Sequence, residues 1–458
     1  MLQRSALPLS PLLLRVRGGA AAMALPPKNA SPIHTERCFV AALPDADLVY
    51  FTLSSSDRKL PAPRGGTRPR CFLPPTGRCY SFCIPAAQSP SERVRAARLH
   101  RRLQQALSEQ PFGARGKVLS LLSYSPHDPA ALERGFLVQD AQRSPETERS
   151  LEELLRLLMP APARFCVYEE AADGQLWRAL WRLKGAGEGK ELLGRTRVVL
   201  AAAEGPSGLH PAALQLLDSA VFSSREAACR VLEECTSLIP EAKAVLDFVN
   251  ECPKNPKKGD FPVVVIEGLD ATGKTTVTQS LKTSLNAVLL GTPPSCVSQW
   301  RKIFDEEPTL IRRAFYALSN YIVASEIAEE STKSPVIVDR YWHSTAAYAI
   351  ATEISGKVQN LPPCHHQVYC WPEDLLKPDV VLLLTVSPEE RIRRLQGRGM
   401  EKTREEAELE ANTLFRQKVE ESYRRMVNPA CQPVDASPSR EEVLQTALHL
   451  IKQQCHLL

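Results

Sequence analysis

The sequence predicts an α/β fold for its second half, a parallel sheet with helices on both faces, preceded by a separate N-terminal α+β domain. Three observations lead to this prediction. Past residue 262, apolar segments of strand length alternate with segments of helical periodicity, an order typical of parallel sheets. The first segment, VVVIEG, runs into a glycine-rich turn that opens a helix. Before it, PKNPKKGDFP at 253–262 has the proline and lysine content of a linker.

The length of 458 residues is too great for one ordinary core and predicts about two or three domains. The predicted units are a leader over 1–35, an N-terminal domain of unknown function over 36–252, the linker over 253–262 and the α/β domain over 263–458. The net charge of +5 permits anionic substrates but gives no reason to predict nucleic acid as a partner. The sequence contains no run of 18 apolar residues, so no membrane span is predicted.

The leader carries basic residues and no acidic residue before Glu36. Its arginines are spaced by leucine, alanine and serine, a composition that predicts a mitochondrial transit peptide and hence a mitochondrial protein. A secretory signal is one alternative, although prolines and an arginine interrupt the apolar run PLSPLLLRV. A plain disordered tail is the other.

The 13 cysteines follow no regular framework, which predicts free thiols in a reducing compartment. The nearest approach to metal-ligand spacing is Cys364-His365-His366 followed by Cys370. A zinc site there is the weaker alternative, because no second ligand pair stands at the spacing of a zinc finger.

In the first half, the sequence predicts strands and helices but no group of residues with a catalytic pattern. Strands are expected within 37–55 and at 164–170, an irregular loop over 56–92 and several helices over 208–250. The segment 91–110 has apolar residues at helical spacing on a basic background. We interpret it as an amphipathic surface helix rather than as a patch for nucleic acid.

The second half predicts five strands and the helices between them. The strands are expected at VVVIEG, at NAVLLGTP, over 334–340, over 379–386 and over 433–437; helices are expected from Lys274, within 301–330 and at EEVLQTALHLI.

Residues 268–275 read GLDATGKT, a full match to the phosphate-loop pattern G-x-x-x-x-G-K-[ST]. A chance glycine turn is the alternative, but a strand-like run precedes the motif and a helical segment follows it, as the motif requires. Successive backbone N–H groups and the helix N-terminus then face a polyphosphate. Lys274 is predicted to reach the β- and γ-phosphates of ATP, and the Thr275 hydroxyl to bind Mg²⁺. The predicted nucleotide-binding residues are Gly268, Leu269, Asp270, Ala271, Thr272, Gly273, Lys274, Thr275 and Thr276.

The strand PVIVDR ends in Asp339-Arg340, and the carboxyl ends of parallel strands meet at the ligand crevice. We predict that Asp339 binds Mg²⁺ and that Arg340 contacts phosphate oxygens. A second basic segment, 391–404, is hinged by glycines and predicts a lid that brings positive charge onto the migrating phosphoryl group. Arg391 and Arg393 are expected on a solvated helix face instead.

From about residue 261 onward, the chain resembles the thymidylate kinases, a family of P-loop nucleoside monophosphate kinases. EGLDATGKTT is similar to their phosphate loop, and VDRYWHSTAAYA to their DRY segment. WPEDLLKPDVVLLLTVSPEERIRRLQGRG is similar to their LPKPD, strand and lid series, and FRQKVEESYRRM with VDASPSREEV to their closing elements. The mitochondrial-type leader and the long N-terminal region make the pattern most similar to a mitochondrial branch of that family.

That resemblance implies transfer of the γ-phosphate of ATP to dUMP, dCMP, UMP or CMP, with Mg²⁺, and a homodimer through the kinase helices. It further implies lid roles for Arg394, Arg398 and Arg404, which join Lys274, Asp339 and Arg340 as the predicted catalytic residues. Phe315 or Tyr316 resembles the aromatic residue that stacks on the pyrimidine. Asn320, Ser344 and Tyr348 resemble positions of the acceptor pocket.

Two departures from the family lie on the acceptor side. Asn320 stands where an arginine would contact the base, and GTPPS at 291–295 lacks the arginine and glutamate of the usual acceptor loop. Both changes favour a substrate other than thymidylate. Ala271 leaves the phosphate loop without an arginine, so the lid is expected to supply the catalytic cation. A thymidylate kinase and a nucleotide-binding interaction module with weak catalysis stay open as alternatives.

Overall fold

The computed structural model describes residues 37–54, 71–74, 77–109, 116–160, 162–185, 189–201, 209–396, 409 and 411–455. The predicted leader therefore lies outside the described residues. The described residues from 37 onward group into one compact unit that contains two separate sheets.

The first sheet is a closed antiparallel barrel with the strand order β1-β2-β8-β7-β6-β3-β5-β4. Its strands are β1 (Cys38–Ala42), β2 (Leu48–Ser54), β3 (Arg78–Ile84), β4 (Val118–Ser125), β5 (Asp128–Asp140), β6 (Arg164–Glu170), β7 (Leu176–Leu183) and β8 (Lys190–Leu200). Side chains alternate between the two faces of a strand, so one set fills the interior. Phe39 and Phe51 stack there with ring centroids 4.9 Å apart.

The outer face of the barrel is covered on two sides. Helices α1 (Pro90–Glu109) and α2 (Pro145–Leu158) pack leucines against β3, β5 and β6 in one apolar core. A 3-10 helix (Pro211–Gln215) packs on β4 and β5. Residues of β1, β2 and β4 share an apolar core with helices α3 (Arg225–Glu233) and α4 (Pro240–Glu251). This second core continues into the helices of the other half of the chain.

The second sheet is parallel, with the strand order β10-β11-β9-β12-β13. Its strands are β9 (Val263–Gly268), β10 (Val288–Gly291), β11 (Val336–Asp339), β12 (Val380–Thr385) and β13 (Cys431–Asp435). The central strand β9 is buried along its whole length, as expected for a sheet covered on both faces. Its carboxyl end delivers the phosphate loop to the middle of the sheet edge.

Helices lie on both faces of this sheet. They are α5 (Lys274–Leu285), α6 (Ser295–Ser298), α7 (Arg301–Asp305), α8 (Thr309–Glu330), α9 (Trp342–Glu353), α10 (Pro388–Gln396), α11 (Thr413–Arg425) and α12 (Arg440–Cys455). Helices α5 and α12 share one core with the sheet, while α8, α9 and α11 lie in the core that also contains α3 and α4. Helix α8 is buried on most of its circumference.

The predicted fold class is confirmed, and so are the strands and helices predicted for the second half. The loop prediction over 56–92 was wrong at 78–84, where β3 runs with both faces buried. Both faces of β3 are covered, so its burial does not alternate. Strands β4, β5, β7 and β8 were missed, because charged residues such as Arg178 and Arg182 interrupt the apolar pattern on β7.

The segment 253–262 lies against the second half of the chain. The backbone N–H of Gly259 donates to Ser331 Oγ at 2.8 Å, and that of Phe261 donates to the Ser331 carbonyl at 3.0 Å. Lys258 forms an ion pair with Asp379 at 3.3 Å. The division of the chain at this segment stays a prediction.

Candidate active site

The phosphate loop connects β9 to α5, and its backbone requires glycine at both ends. Gly268 has φ +142°, and a Cβ there would lie 2.6 Å from the carbonyl oxygen of Leu384. Gly273 has φ +90° and immediately precedes α5. Ala271 takes φ +63°, a conformation that costs an L-residue free energy and that functional loops tolerate. In this described stretch no side chain caps α5, so its first N–H groups face a site suited to an anion.

Lys274 is buried at the start of α5 and folds back onto the loop. Its Nζ donates to the carbonyl oxygen of Leu269 at 2.7 Å. Burial, and next the positive charge of Arg340, lower the pKa of Lys274 to about 7. A polyphosphate in the loop would favour the charged amine and raise this pKa again. An anionic ligand in the loop would therefore offset the cost of burying a charged amine at Lys274.

Asp270 and Arg340 join the phosphate loop to the end of β11. Arg340 Nη2 donates to Asp270 Oδ1 at 2.9 Å, and Nη1 donates to Ser344 Oγ at 3.2 Å. The guanidinium carbon lies 5.8 Å from the centre of the Tyr348 ring. Arg340 takes φ +65°, so its backbone is strained at the point where its side chain turns towards the loop.

Glu267, the residue before the loop, is fully buried and holds the start of α9. Its carboxylate accepts from the backbone N–H groups of Tyr341 at 2.9 Å and Ser344 at 3.2 Å, and from the Ser344 hydroxyl. Tyr423 Oη of α11 donates to the same carboxylate at 3.3 Å. Burial raises the pKa of Glu267, against the lowering effect of Arg340 and these hydrogen bonds. Glu267 and Tyr423 were not among the predicted site residues.

Asp339 and Thr275 fit the predicted metal site. Asp339 Oδ1 is buried and has no hydrogen-bond partner among the described residues. Thr275 lines the same cavity as Asp339. A carboxylate oxygen and a hydroxyl are ligands that Mg²⁺ takes, usually together with substrate phosphates and water.

The loop opens into a cavity of about 440 Å³. One side contains the phosphate-loop residues, and the opposite side is formed by β10, the segment that follows it, α7, α8 and α9. The residues that line it are Asp270, Ala271, Gly273, Lys274, Thr275, Gly291, Thr292, Pro293, Ser298, Arg301, Arg313, Tyr316, Asp339, Arg340, Tyr341, Ser344, Thr345 and Tyr348.

Two arginines on the side opposite the phosphate loop were not predicted. Arg313 of α8 lines the cavity although its side chain is almost fully buried. Arg301 lines it as well and donates from Nε to Tyr316 Oη at 3.1 Å, while Tyr316 donates to Asp305 Oδ1 at 2.8 Å. These cations stand on the side of the cavity whose 291–295 loop lacks an arginine. The basic pair 312–313 at the start of a predicted helix was the only sequence signal for Arg313.

Tyr316, and not Phe315, faces the cavity. Phe315 is fully buried and stacks on Phe304 with ring centroids 4.4 Å apart. Consecutive helical residues point about 100° apart, so packing of Phe315 in the core turns Tyr316 towards the pocket. Asn320 is also buried and is not among the cavity-lining residues; its Nδ2 donates to Oγ1 of Thr345, which does line the cavity, at 3.2 Å.

The basic segment after β12 begins as helix α10. Arg394 Nη2 donates to the Ala436 carbonyl at 2.8 Å, and its Nη1 lies 3.5 Å from the Thr272 carbonyl of the phosphate loop. Arg391 is buried and donates from Nε to the Asp270 carbonyl at 3.1 Å, so the solvated placement expected for it was wrong. Arg393 is exposed and pairs with Glu390, as expected. Arg398 and Arg404 lie outside the described residues.

The cysteine and histidine cluster does not form a metal site. Within the described ranges, no group of three or more His, Cys, Asp or Glu is placed to hold a metal ion. His366 instead accepts from the backbone N–H of Val368 at 3.3 Å and caps a short 3-10 helix. All thirteen cysteines are free thiols, as predicted. Among the described helices, none has both the length and the apolar character needed to cross a membrane.

Several known proteins are similar to this chain. Residues 266–447 match the family model described as thymidylate kinase. The human protein "UMP-CMP kinase 2, mitochondrial" is 57% identical over 452 residues, which cover 97% of this chain and 96% of the human protein. "Probable thymidylate kinase 1" of Saccharolobus solfataricus is 26% identical over 200 residues, 42% of this chain and 97% of that protein. A solved thymidylate kinase structure from Candida albicans covers 43% of this chain and 94% of its own, at 20% identity and a TM-score of 0.34.

Proposed function

Because the chain belongs to the family of the mitochondrial UMP-CMP kinase 2, we propose that its site transfers the γ-phosphate of ATP to a pyrimidine nucleoside monophosphate. UMP, CMP, dUMP and dCMP are the proposed acceptors, and the products are the diphosphates. The chain is a nucleoside monophosphate kinase, with its thymidylate-kinase domain over 266–447. Its compartment is the mitochondrion, in line with the name of the human relative.

One observation carries the proposal for the reaction: a single cavity has a phosphate loop on one side and an aromatic, arginine-bearing pocket on the other. Lys274 and Thr275 stand at the first side, and Arg313 and Tyr316 at the second. Such a cavity can hold two phosphorylated ligands end to end. Phosphoryl transfer requires little covalent chemistry from the protein, so catalysis consists of positioning the two ligands and stabilising the charge between them.

Each residue then has a physical task. Lys274 exchanges its contact with the Leu269 carbonyl for the β- and γ-phosphate oxygens of the donor. Arg340 lies between loop and pocket, where its planar guanidinium can bind two phosphate oxygens at once. Asp270 orients Arg340 through their ion pair of 2.9 Å. Arg394, close to the loop through Thr272, is the described lid residue placed to add positive charge.

Mg²⁺ is proposed at Thr275 and Asp339, where it would neutralise charge on the donor phosphates and help to align them. The buried Oδ1 of Asp339 is the protein atom that best fits this role. Removal of the metal with a chelator is expected to abolish turnover, and added Mg²⁺ to restore it.

On the acceptor side, Tyr316 and Tyr348 both line the cavity, and both rings can pack on a pyrimidine. Asn320, with Thr345 at 3.2 Å, is proposed to shape the base end of the pocket from behind. A homodimer, implied by the resemblance, stays a prediction. Helix α8 is already covered by α3 and α4 of its own chain, so two copies would have to meet through other surfaces.

The test is a panel of acceptors assayed with ATP and Mg²⁺: UMP, CMP, dUMP, dCMP and dTMP. The proposal predicts higher kcat/KM for the uridine and cytidine monophosphates than for dTMP. A strong preference for dTMP would instead support a thymidylate kinase. Binding of ATP without turnover of any acceptor would support the nucleotide-binding module, and Lys274→Ala would then leave the biological role intact.

A further inference from the structure

The acceptor side of the cavity is carried by two helices. Helix α8 contributes Arg313 and Tyr316, and helix α9 contributes Ser344, Thr345 and Tyr348. Both helices have an end that is held by residues from the N-terminal barrel region.

The carboxyl end of α9 is the more densely contacted. Arg134 of β5 forms an ion pair with Glu353, the last residue of α9, at 2.8 Å. His210 Nε2 lies 2.9 Å from Ser355 Oγ. Gly356 has φ +82°, and a Cβ there would lie 3.2 Å from the Leu48 side chain of β2. Asp47 also forms an ion pair with Lys357. Four residues from the N-terminal half therefore contact the five-residue segment 353–357.

The amino end of α8 is held in the same manner. Arg98 of α1 forms an ion pair with Glu307, two residues before α8 begins, at 3.3 Å. Burial raises the pKa of Glu307, and Arg98 acts against this. Helices α1, α3 and α4 also pack along α8 itself. The turn that sets the direction of α8 is therefore fixed from outside the kinase domain.

The donor side has a different support. Helix α5, which follows the phosphate loop, packs against β11 and the final helix α12, in a core made of residues after 262. The two halves of the cavity thus rest on different parts of the chain. A change confined to the barrel contacts should reach the acceptor pocket first.

We propose that Arg98 and Arg134 are positioning residues, through which the N-terminal barrel fixes the two helices of the acceptor pocket. The inference rests on the proposed function for the identity of the acceptor. Among the described residues, the barrel contributes none to the cavity lining. In this proposal it still acts in the reaction, by positioning the helices that do line the cavity. The barrel region sets acceptor affinity, and the kinase domain by itself sets donor affinity.

The expected size of the effect follows from the environment of the pairs. The arginine side chains are 35% exposed, but Glu353 and Glu307 are only 12% and 15% exposed. Removal of either arginine takes an ion-pair partner away from a poorly solvated carboxylate, although Glu307 keeps the attraction of Arg101, so each loss should exceed that of a surface pair. We expect each substitution to weaken acceptor binding about fivefold, and both together about 25-fold, because the effects of two separate sites add in free energy.

The experiment compares Arg98→Met, Arg134→Met and their double variant with the unchanged full-length protein. CMP affinity is measured by calorimetry, and KM for CMP and for ATP by steady-state assay; the melting temperature of each variant is recorded. The matched control is Arg182→Met, which removes an exposed barrel ion pair with Glu191. The charge-swapped pair Arg134→Glu with Glu353→Arg provides the rescue.

The proposal expects weaker CMP binding, a KM for ATP within about twofold of the unchanged protein, recovery in the charge-swapped variant and no effect of Arg182→Met. Unchanged CMP affinity in the double variant would overturn it. A parallel loss for CMP and ATP, with a lower melting temperature, would also overturn it, since that describes a general loosening. If the unchanged protein binds CMP but does not phosphorylate it, the proposed function fails, and the calorimetric comparison still decides the positioning role.

Discussion

Lys274→Met should make the ligand-free protein more stable and abolish its activity. Burial lowers the pKa of Lys274 from 10.5 to about 7, so the folded state holds this proton less tightly than the unfolded state does. A lysine with such a shift destabilises the fold by roughly 4 kcal/mol at pH 7 and by roughly 2 kcal/mol at pH 9. Methionine is of similar length and carries no charge, so the variant does not have this penalty.

The sign of the pH dependence follows from proton binding. Between pH 7 and 10.5 the unfolded chain binds more protons at this position than the folded chain, so wild-type stability rises with pH. The variant lacks this gain. Loss of the hydrogen bond to Leu269 subtracts about 1 kcal/mol at both pH values. That carbonyl remains satisfied, because Thr272 Oγ1 donates to it at 2.8 Å.

The assay is urea denaturation of both proteins at pH 7 and pH 9, followed by circular dichroism. The free energy of unfolding of Lys274→Met is expected to exceed that of the wild type by about 3 kcal/mol at pH 7 and by about 1 kcal/mol at pH 9. Lys282→Met is the control, since Lys282 is an exposed lysine on the same helix. An advantage of the same size at both pH values, or a loss of stability at pH 7, would refute the assignment of a buried, destabilised amine.

Three further predictions concern the same site. Asp339→Asn should lower kcat by about 10²-fold or more and raise the Mg²⁺ concentration needed for half-maximal turnover, with CMP affinity unchanged; an unaltered Mg²⁺ titration would exclude Asp339 as a metal ligand. Gly268→Ala should destabilise the fold by about 2 kcal/mol or more, because its Cβ would meet the Leu384 carbonyl at 2.6 Å in a left-handed conformation. Gly194→Ala, with open space around the added Cβ, is the neutral control in urea titrations. ATP affinity should fall as pH rises above about 7, approaching tenfold per pH unit, because binding must then protonate Lys274; calorimetry in buffers of different ionisation enthalpy would detect this uptake, and its absence at pH 8 would contradict the mechanism.

Much of the kinase half could be predicted because its signals are local. The phosphate loop is contiguous in sequence, and its glycines are required by backbone angles at those same positions. Buried parallel strands are continuous apolar runs, which made β9, β11 and β12 visible. The barrel gave weaker signals, since strands such as β7 carry arginines between their apolar residues and have no uniform apolar pattern.

The acceptor pocket could be predicted only in part. A helix with apolar residues all round, such as α8, does not reveal which side faces a ligand. The choice between Phe315 and Tyr316, the approach of Arg313 to the cavity and the burial of Arg391 beside Asp270 all depend on which neighbours occupy the remaining faces. Those neighbours include α3 and α4, which lie 60 or more positions earlier in the chain.

The sequence by itself predicted the proposed donor site: a strand, a glycine turn, one lysine and a helix in this order fold into a nest suited to phosphate, because backbone geometry is short-ranged. Only the tertiary structure decided which residues line the proposed acceptor side of the cavity and where the barrel lies. Ion pairs such as Arg134–Glu353 join residues far apart in sequence, and their existence depends on how two sheets and their helices share one core.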